Sequence, residues 1–215
     1  MFDGQPGDYE YFARLIQPLR DAALAVYLMM GNHDDRAAFY NVLQTEKPLQ
    51  PIVEARHIGV VKLPRTNLFL LDSLKQEIVA SGDLGERQLR WLESELDAHP
   101  DKPALIIVHH NPRLGGDPIH FPGGLEDTDD LWRIIATRKQ VKAYIHGHVH
   151  DRKYSEHDGI HILNMPAVGY VADKRLSTTG WTMLRLLDDG AELTTHTHLA
   201  DHDWNGVKVN LTWRN

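Results

Sequence analysis

Three apolar runs in this chain each stop at side chains that can bind a metal. Residues 23–30 lead into Gly31-Asn32-His33-Asp34, residues 104–108 into His109-His110-Asn111-Pro112, and residues 141–145 into His146-Gly147-His148-Val149-His150. Short apolar runs bounded by turn residues are the pattern of buried strands in a layered α/β fold. In such folds the loops that leave the carboxyl ends of strands are where ligands bind. Three polar loops at strand ends therefore predict one convergent site.

The rest of the chain alternates helix with strand. Residues 8–19 put Tyr9, Phe12, Leu15 and Ile16 on one helical face, and Pro18 ends that helix or sits in its last turn. A short helix passes through Phe39 and Leu43. Residues 56–63 and 67–71 form a hairpin about Pro64-Arg65-Thr66. Residues 85–98 are an amphipathic helix with Leu89, Leu92 and Leu96 on its buried face, and residues 129–138 are another. Residues 161–164, 181–187 and 192–199 read as strands. Nothing repeats, and 215 residues suit one domain spanning 1–215.

Composition narrows the chemistry. The net charge of −7 argues against a nucleic-acid polymer as partner, because phosphate neutralisation needs clustered Lys and Arg. No apolar run is long enough to span a membrane, and no signal peptide is evident, so a cytoplasmic location is expected. Cysteine is absent, which rules out thiolate ligands and leaves His, Asn, Asp and Glu. A mixed N/O donor set suits Mn, Fe or Zn.

Each cluster has a plain reading beside the chemical one. Asn32 offers a carbonyl oxygen and His33 a ring nitrogen, yet the same residues make a polar turn with Asp34 as a helix N-cap. His109 and His110 are adjacent, so on a continuing strand they face opposite ways and at most one is a ligand. His148 and His150 stand two apart, which on an extended segment aims both rings the same way. His146 shares that parity, but Gly147 breaks the run between them and a structural role suits His146 better.

In order and context, Asn32-His33, His109-His110-Asn111-Pro112 and Gly147-His148-Val149-His150 resemble the calcineurin-like metallophosphoesterases. The resemblance is greatest to the class III cyclic-nucleotide and glycerophosphodiester phosphodiesterases. It extends over nearly the whole chain, including residues 84–112 and Asn164-Met165-Pro166-Ala167. It implies a four-layer αββα sandwich of two mixed sheets. It implies a small phosphodiester substrate, cleaved by a hydroxide that bridges two divalent metals. Asn32, His109 and His148 would hold one metal and His150 the other. His33 would face the leaving group, with Asp34 orienting it. Asp72 is a candidate support for the site, although a turn aspartate is the plainer reading. Arg36, Arg113 and Lys174 are candidates to meet substrate phosphate, and His120 and Phe121 to shape a rim loop within residues 114–127. A homodimer is compatible with the resemblance.

One departure stands out. The family pattern opens with Asp-x-His on a first strand and Gly-Asp on a second. Gly7-Asp8 has no apolar strand before it and reads as a helix start, while Asp3-Gly4 resembles the loop after the true Gly-Asp. The expectation is an N-terminally incomplete domain without its first strand–helix unit. Such a domain would keep at most one tightly held metal and would be weakly stable and weakly active. A non-catalytic metal-binding or interaction domain of the same fold, and a phosphomonoesterase, are the alternative functions.

Overall fold

The computed structural model describes residues 3–75, 80–115, 123–171 and 173–215. Helix α1 (Pro6–Asp21) opens the described chain with Pro6 in its first turn, where a missing amide costs nothing. Pro18 lies inside its last turn. Helix α2 (Arg36–Val42) is capped by the Asp35 carboxylate, which accepts from the Ala38 amide at 2.7 Å. The cap is therefore Asp35, one residue beyond the Asp34 of the turn reading.

Strands β1 (Gly59–Lys62) and β2 (Asn67–Leu70) form the expected antiparallel hairpin. Helix α3 (Glu86–Ala98) leads to β3 (Ala104–Ile107), and α4 (Thr128–Ile135) to β4 (Val141–His146). Strands β5 (Lys153–His157) and β6 (Ile160–Asn164) turn back as a second hairpin. These make a six-stranded mixed sheet in the order β1-β2-β3-β4-β6-β5, with β2, β3, β4 and β6 parallel. Strands β7 (Gly180–Leu186), β8 (Gly190–Thr197) and β9 (Lys208–Thr212) form a separate antiparallel sheet.

The alternation of side chains along β3 builds the layers. Ala104 and Ile106 face α3 and α4 and pack with Leu92, Leu96, Leu131 and Ile135. Leu105 faces the other way and meets Leu193 and Leu211 of the three-stranded sheet, with Ala143 and Leu163 beside it. A register shift beside Ala104 lets Val141 and Tyr144 of β4 share the helical side. A third cluster, Tyr9, Met30, Phe39, Leu43 and Leu74, lies beneath α1 and α2. Each fully buried leucine in these layers contributes about 1.5–3 kcal/mol.

Three expectations need correction. Residues 23–30 are not a ladder strand: among the described residues they pair with no neighbour. An apolar run becomes a strand only where another strand completes its hydrogen bonds. Here Met30 is buried while Leu24 and Tyr27 stay more than half exposed. Leu15, placed on the buried face of α1, is likewise turned outward. Strands β5 and β9 were not expected: β5 is largely exposed, and β9 is short, with Val209 and Leu211 turned inward and Lys208, Asn210 and Thr212 exposed.

Candidate metal centre

The loops after residues 23–30, β3 and β4 meet at one cleft of about 370 Å³. Asn32, His33, Asp34, His109, His148 and His150 all line it. The segment that follows β6, from Met165 to Tyr170, also lines it.

The first loop is held from below. The Asp34 carboxylate accepts from the Gly31 amide (2.7 Å) and from the hydroxyl of buried Tyr9 (2.9 Å). Tyr9 also accepts from the Asp35 amide at 2.8 Å. Asp34 thus braces the backbone that presents Asn32 and His33. Immediately after the loop, Arg36 forms a two-pronged ion pair with Asp72, which is fully buried at the end of β2 (2.7 Å on each prong). Asp72 also accepts from the amides of His57 and Leu74. Arg36 is therefore committed to the scaffold, and neither Arg113 nor Lys174 lines the cleft. His120 and Phe121 lie outside the described residues.

The second loop departs from the parity argument. β3 ends at Ile107, so His109 and His110 do not sit on one strand and do not point apart. Donor nitrogens of His109, His110 and His148 lie within 4.8 Å of one another. His109 Nε2 is 3.0 Å from Asn32 Oδ1. Its ring fills the space over Gly31, where an added Cβ would come within 2.9 Å of it. His110 is fully buried, with Nδ1 2.7 Å from the Ser73 hydroxyl and its ring centroid 4.6 Å from that of His148. The His110 Nε2 atom is buried without a hydrogen-bond partner among the described residues. Ser73 and Gly82, absent from the residues the sequence points to, close around His110. Serine and glycine carry no periodic signal, and only the fold brings them there.

The third loop is not extended. His148 and His150 both have left-handed backbone, with φ of 64° and 57°. Non-glycine residues adopt this conformation at a cost of about 1–2 kcal/mol each. The turns are fixed by hydrogen bonds from the Gly147 amide to His109 O and from the Val149 amide to Gly147 O. Both rings reach the cleft by backbone turning, and strand parity has no part in it. His150 Nδ1 is 2.9 Å from the Tyr170 carbonyl. A carbonyl only accepts, so Nδ1 carries the proton and Nε2 is left with the lone pair. His146 is buried within β4, with Nδ1 3.0 Å from Gly147 O, and does not line the cleft.

Electrostatics keep these rings neutral. Burial, then the neighbouring imidazoles, holds His109 well below the usual histidine range. Burial, then His148, brings His110 to about 3. Burial, then His150, brings His148 to about 4. Neutral imidazole is the ligand form, and crowding of neutral rings with an amide oxygen is what a divalent cation would relieve. The donor set thus fits a metal ion: neutral N/O ligands, buried and convergent, with a cation taking the place of the proton that His109 Nε2 shares with Asn32 Oδ1.

A two-sheet α/β sandwich with such a donor cluster at its strand ends defines a metallohydrolase. The chain belongs to the calcineurin-like phosphoesterase family, whose model matches residues 1–152. The 3′,5′-cyclic adenosine monophosphate phosphodiesterase CpdA of Vibrio vulnificus is 33% identical over 201 residues, which cover 90% of this chain and 69% of that protein. The glycerophosphodiester phosphodiesterase GpdQ of Enterobacter lignolyticus is 27% identical over 168 residues, 76% of this chain and 58% of that protein. A dimetal phosphatase from Danio rerio superposes with a TM-score of 0.71 over 95% of this chain and 78% of that one. At 16% identity it speaks to the fold alone. No helix among the described residues is long and apolar enough to cross a membrane.

Proposed function

We propose that this chain is a metal-dependent phosphodiesterase acting on small cyclic-nucleotide or glycerophosphodiester substrates. Asn32, His109 and His148 would hold one divalent metal, Mn, Fe or Zn, and His150 would offer Nε2 toward a second position. The observation that carries this reading is the approach of His109 Nε2 to Asn32 Oδ1 at 3.0 Å, with His148 against the same ring. When bound, a divalent metal in such a set polarises the phosphoryl oxygens and lowers the pKa of water. His33 lines the same cleft, where a ring nitrogen can hand a proton to the departing alkoxide oxygen. Asp34, Tyr9 and the Arg36–Asp72 pair hold that loop in place. Because Asn32, His109 and His148 would supply three donors to one position and His150 one to the other, one tightly held metal per chain is expected. The relatives named for cyclic adenosine monophosphate and glycerophosphodiesters support the diester class.

The test compares bis(p-nitrophenyl) phosphate with p-nitrophenyl phosphate in the presence of Mn. Faster turnover of the diester is expected. Preference for the monoester would make the chain a phosphomonoesterase. Turnover of neither, with metal bound, would make it a non-catalytic metal-binding domain.

A further inference from the structure

The segment after β6 brings its own chemistry to the cleft. Met165, Pro166, Ala167 and Val168 lead to Tyr170, and Met29 lines the same cleft. Among the described residues no lysine or arginine lines the cleft. This segment offers the cleft apolar surface and one aromatic ring. Tyr170 lines the cleft and is 53% exposed. Its ring lies 4.0 Å from that of His150, tilted by 35°, and its own backbone carbonyl holds His150 Nδ1. One face of the phenol is thus supported by an imidazole whose position is fixed, and the ring is a pre-positioned platform beside the donors.

We propose that Tyr170 is a specificity residue that stacks against the planar base of a nucleotide substrate. The proposal rests on the phosphodiesterase reading above and selects, within it, esters with an aromatic base over glycerol-type esters. A glycerol head group offers hydroxyls, and from Met165 to Tyr170 the Tyr170 hydroxyl is the one side-chain group that can hydrogen-bond them. A purine offers a π-face, which any aromatic platform can stack without reading its hydrogen-bonding edge.

Substitution at Tyr170 leaves the backbone carbonyl, and with it the anchor of His150. Tyr170→Leu and Tyr170→Phe are compared with wild type on 3′,5′-cyclic AMP and on glycerophosphoethanolamine. In wild type the ratio of kcat/KM should favour the cyclic nucleotide. Tyr170→Leu should lower that ratio about tenfold, the scale of one base–aromatic stack, mainly through KM for the nucleotide. Tyr170→Phe should keep the ratio within about twofold, since the stack needs the ring and not the hydroxyl. Calorimetry of Mn-loaded protein with 5′-AMP and with glycerol 3-phosphate reads the platform without turnover. The Leu variant should weaken 5′-AMP about tenfold and glycerol 3-phosphate little. An unchanged ratio in Tyr170→Leu, or an equal fall in Tyr170→Phe, would overturn the proposal. If wild type cleaves neither ester, the functional reading falls, and the 5′-AMP titration still decides the platform. Equal affinity for 5′-AMP in wild type and Leu variant would sink it.

Discussion

Replacing Arg36 by methionine would leave the Asp72 carboxylate buried with only the His57 and Leu74 amides as donors. Asp72 has no solvent exposure, and both of its oxygens face the guanidinium at 2.7 Å. Breaking a buried pair by removing one partner costs about 3–5 kcal/mol, because the remaining charge is stranded away from water. Arg36→Met should therefore lower stability by that amount, measured by urea unfolding at pH 7. For a chain of this size each kcal/mol moves Tm by about 2–4 °C, so the melt should fall by roughly 6–20 °C. Arg36→Lys keeps the charge but loses the two-pronged geometry and should cost about half as much. The damage should also reach the cleft, since Arg36 directly follows the loop bearing Asn32 and His33. Metal affinity should weaken in the folded variant. If Arg36→Met unfolds within about 1 kcal/mol of wild type, the pair is an ordinary surface ion pair and the clamp reasoning fails.

Further outcomes follow from the same structure. The metal-free chain should lose stability on acidification below about pH 6.5. His146 and His148 titrate near 4 and His110 near 3 when folded, below their unfolded value, so the unfolded chain binds more protons across that window. Each contributes up to about 1.4 kcal/mol per pH unit, and urea midpoints at pH 7.5 and pH 5 should differ accordingly, stability being greater at 7.5. Gly82→Ala would bring a Cβ within 2.2 Å of His110 Nδ1 and 2.5 Å of Ser73 O. It should destabilise by about 1–3 kcal/mol and disturb histidine resonances at the cleft. Arg214 donates to the carbonyls of Ile135, Ala136, Arg138, Val141 and Asp158, closing the end of α4. Arg214→Ala should cost about 2–4 kcal/mol by thermal melt.

Much of the fold was legible because period and burial agree. Leu89, Leu92 and Leu96 repeat at helical spacing and all three are buried. The apolar runs ending at Val108 and Ile145 form central strands because neighbours flank them on both sides. Residues 23–30 have the same composition and no ladder, since pairing depends on a neighbour that local sequence does not specify. In the cleft, the residue types at strand ends were legible, and Asn32, His33, His109, His148 and His150 do come together. The route by which they do so was not. Left-handed φ at His148 and His150 is invisible in a residue pattern, and it replaced the strand parity from which their common direction was argued. The proximity of His110 to the cluster was hidden because strand β3 stops at Ile107, three residues short of it, and so does not turn it away. Asp72 was read as a turn residue because its partner, Arg36, lies 36 positions away in sequence.

Metal content of purified protein, wild type against His148→Ala, bears most directly on the donor set. After incubation with Mn or Zn and removal of free ion, wild type should retain about one equivalent per chain. His148→Ala should retain much less, with affinity lower by at least tenfold, the effect of losing one of three convergent ligands. Equal retention in the folded variant would contradict the assignment of Asn32, His109 and His148 as a metal site.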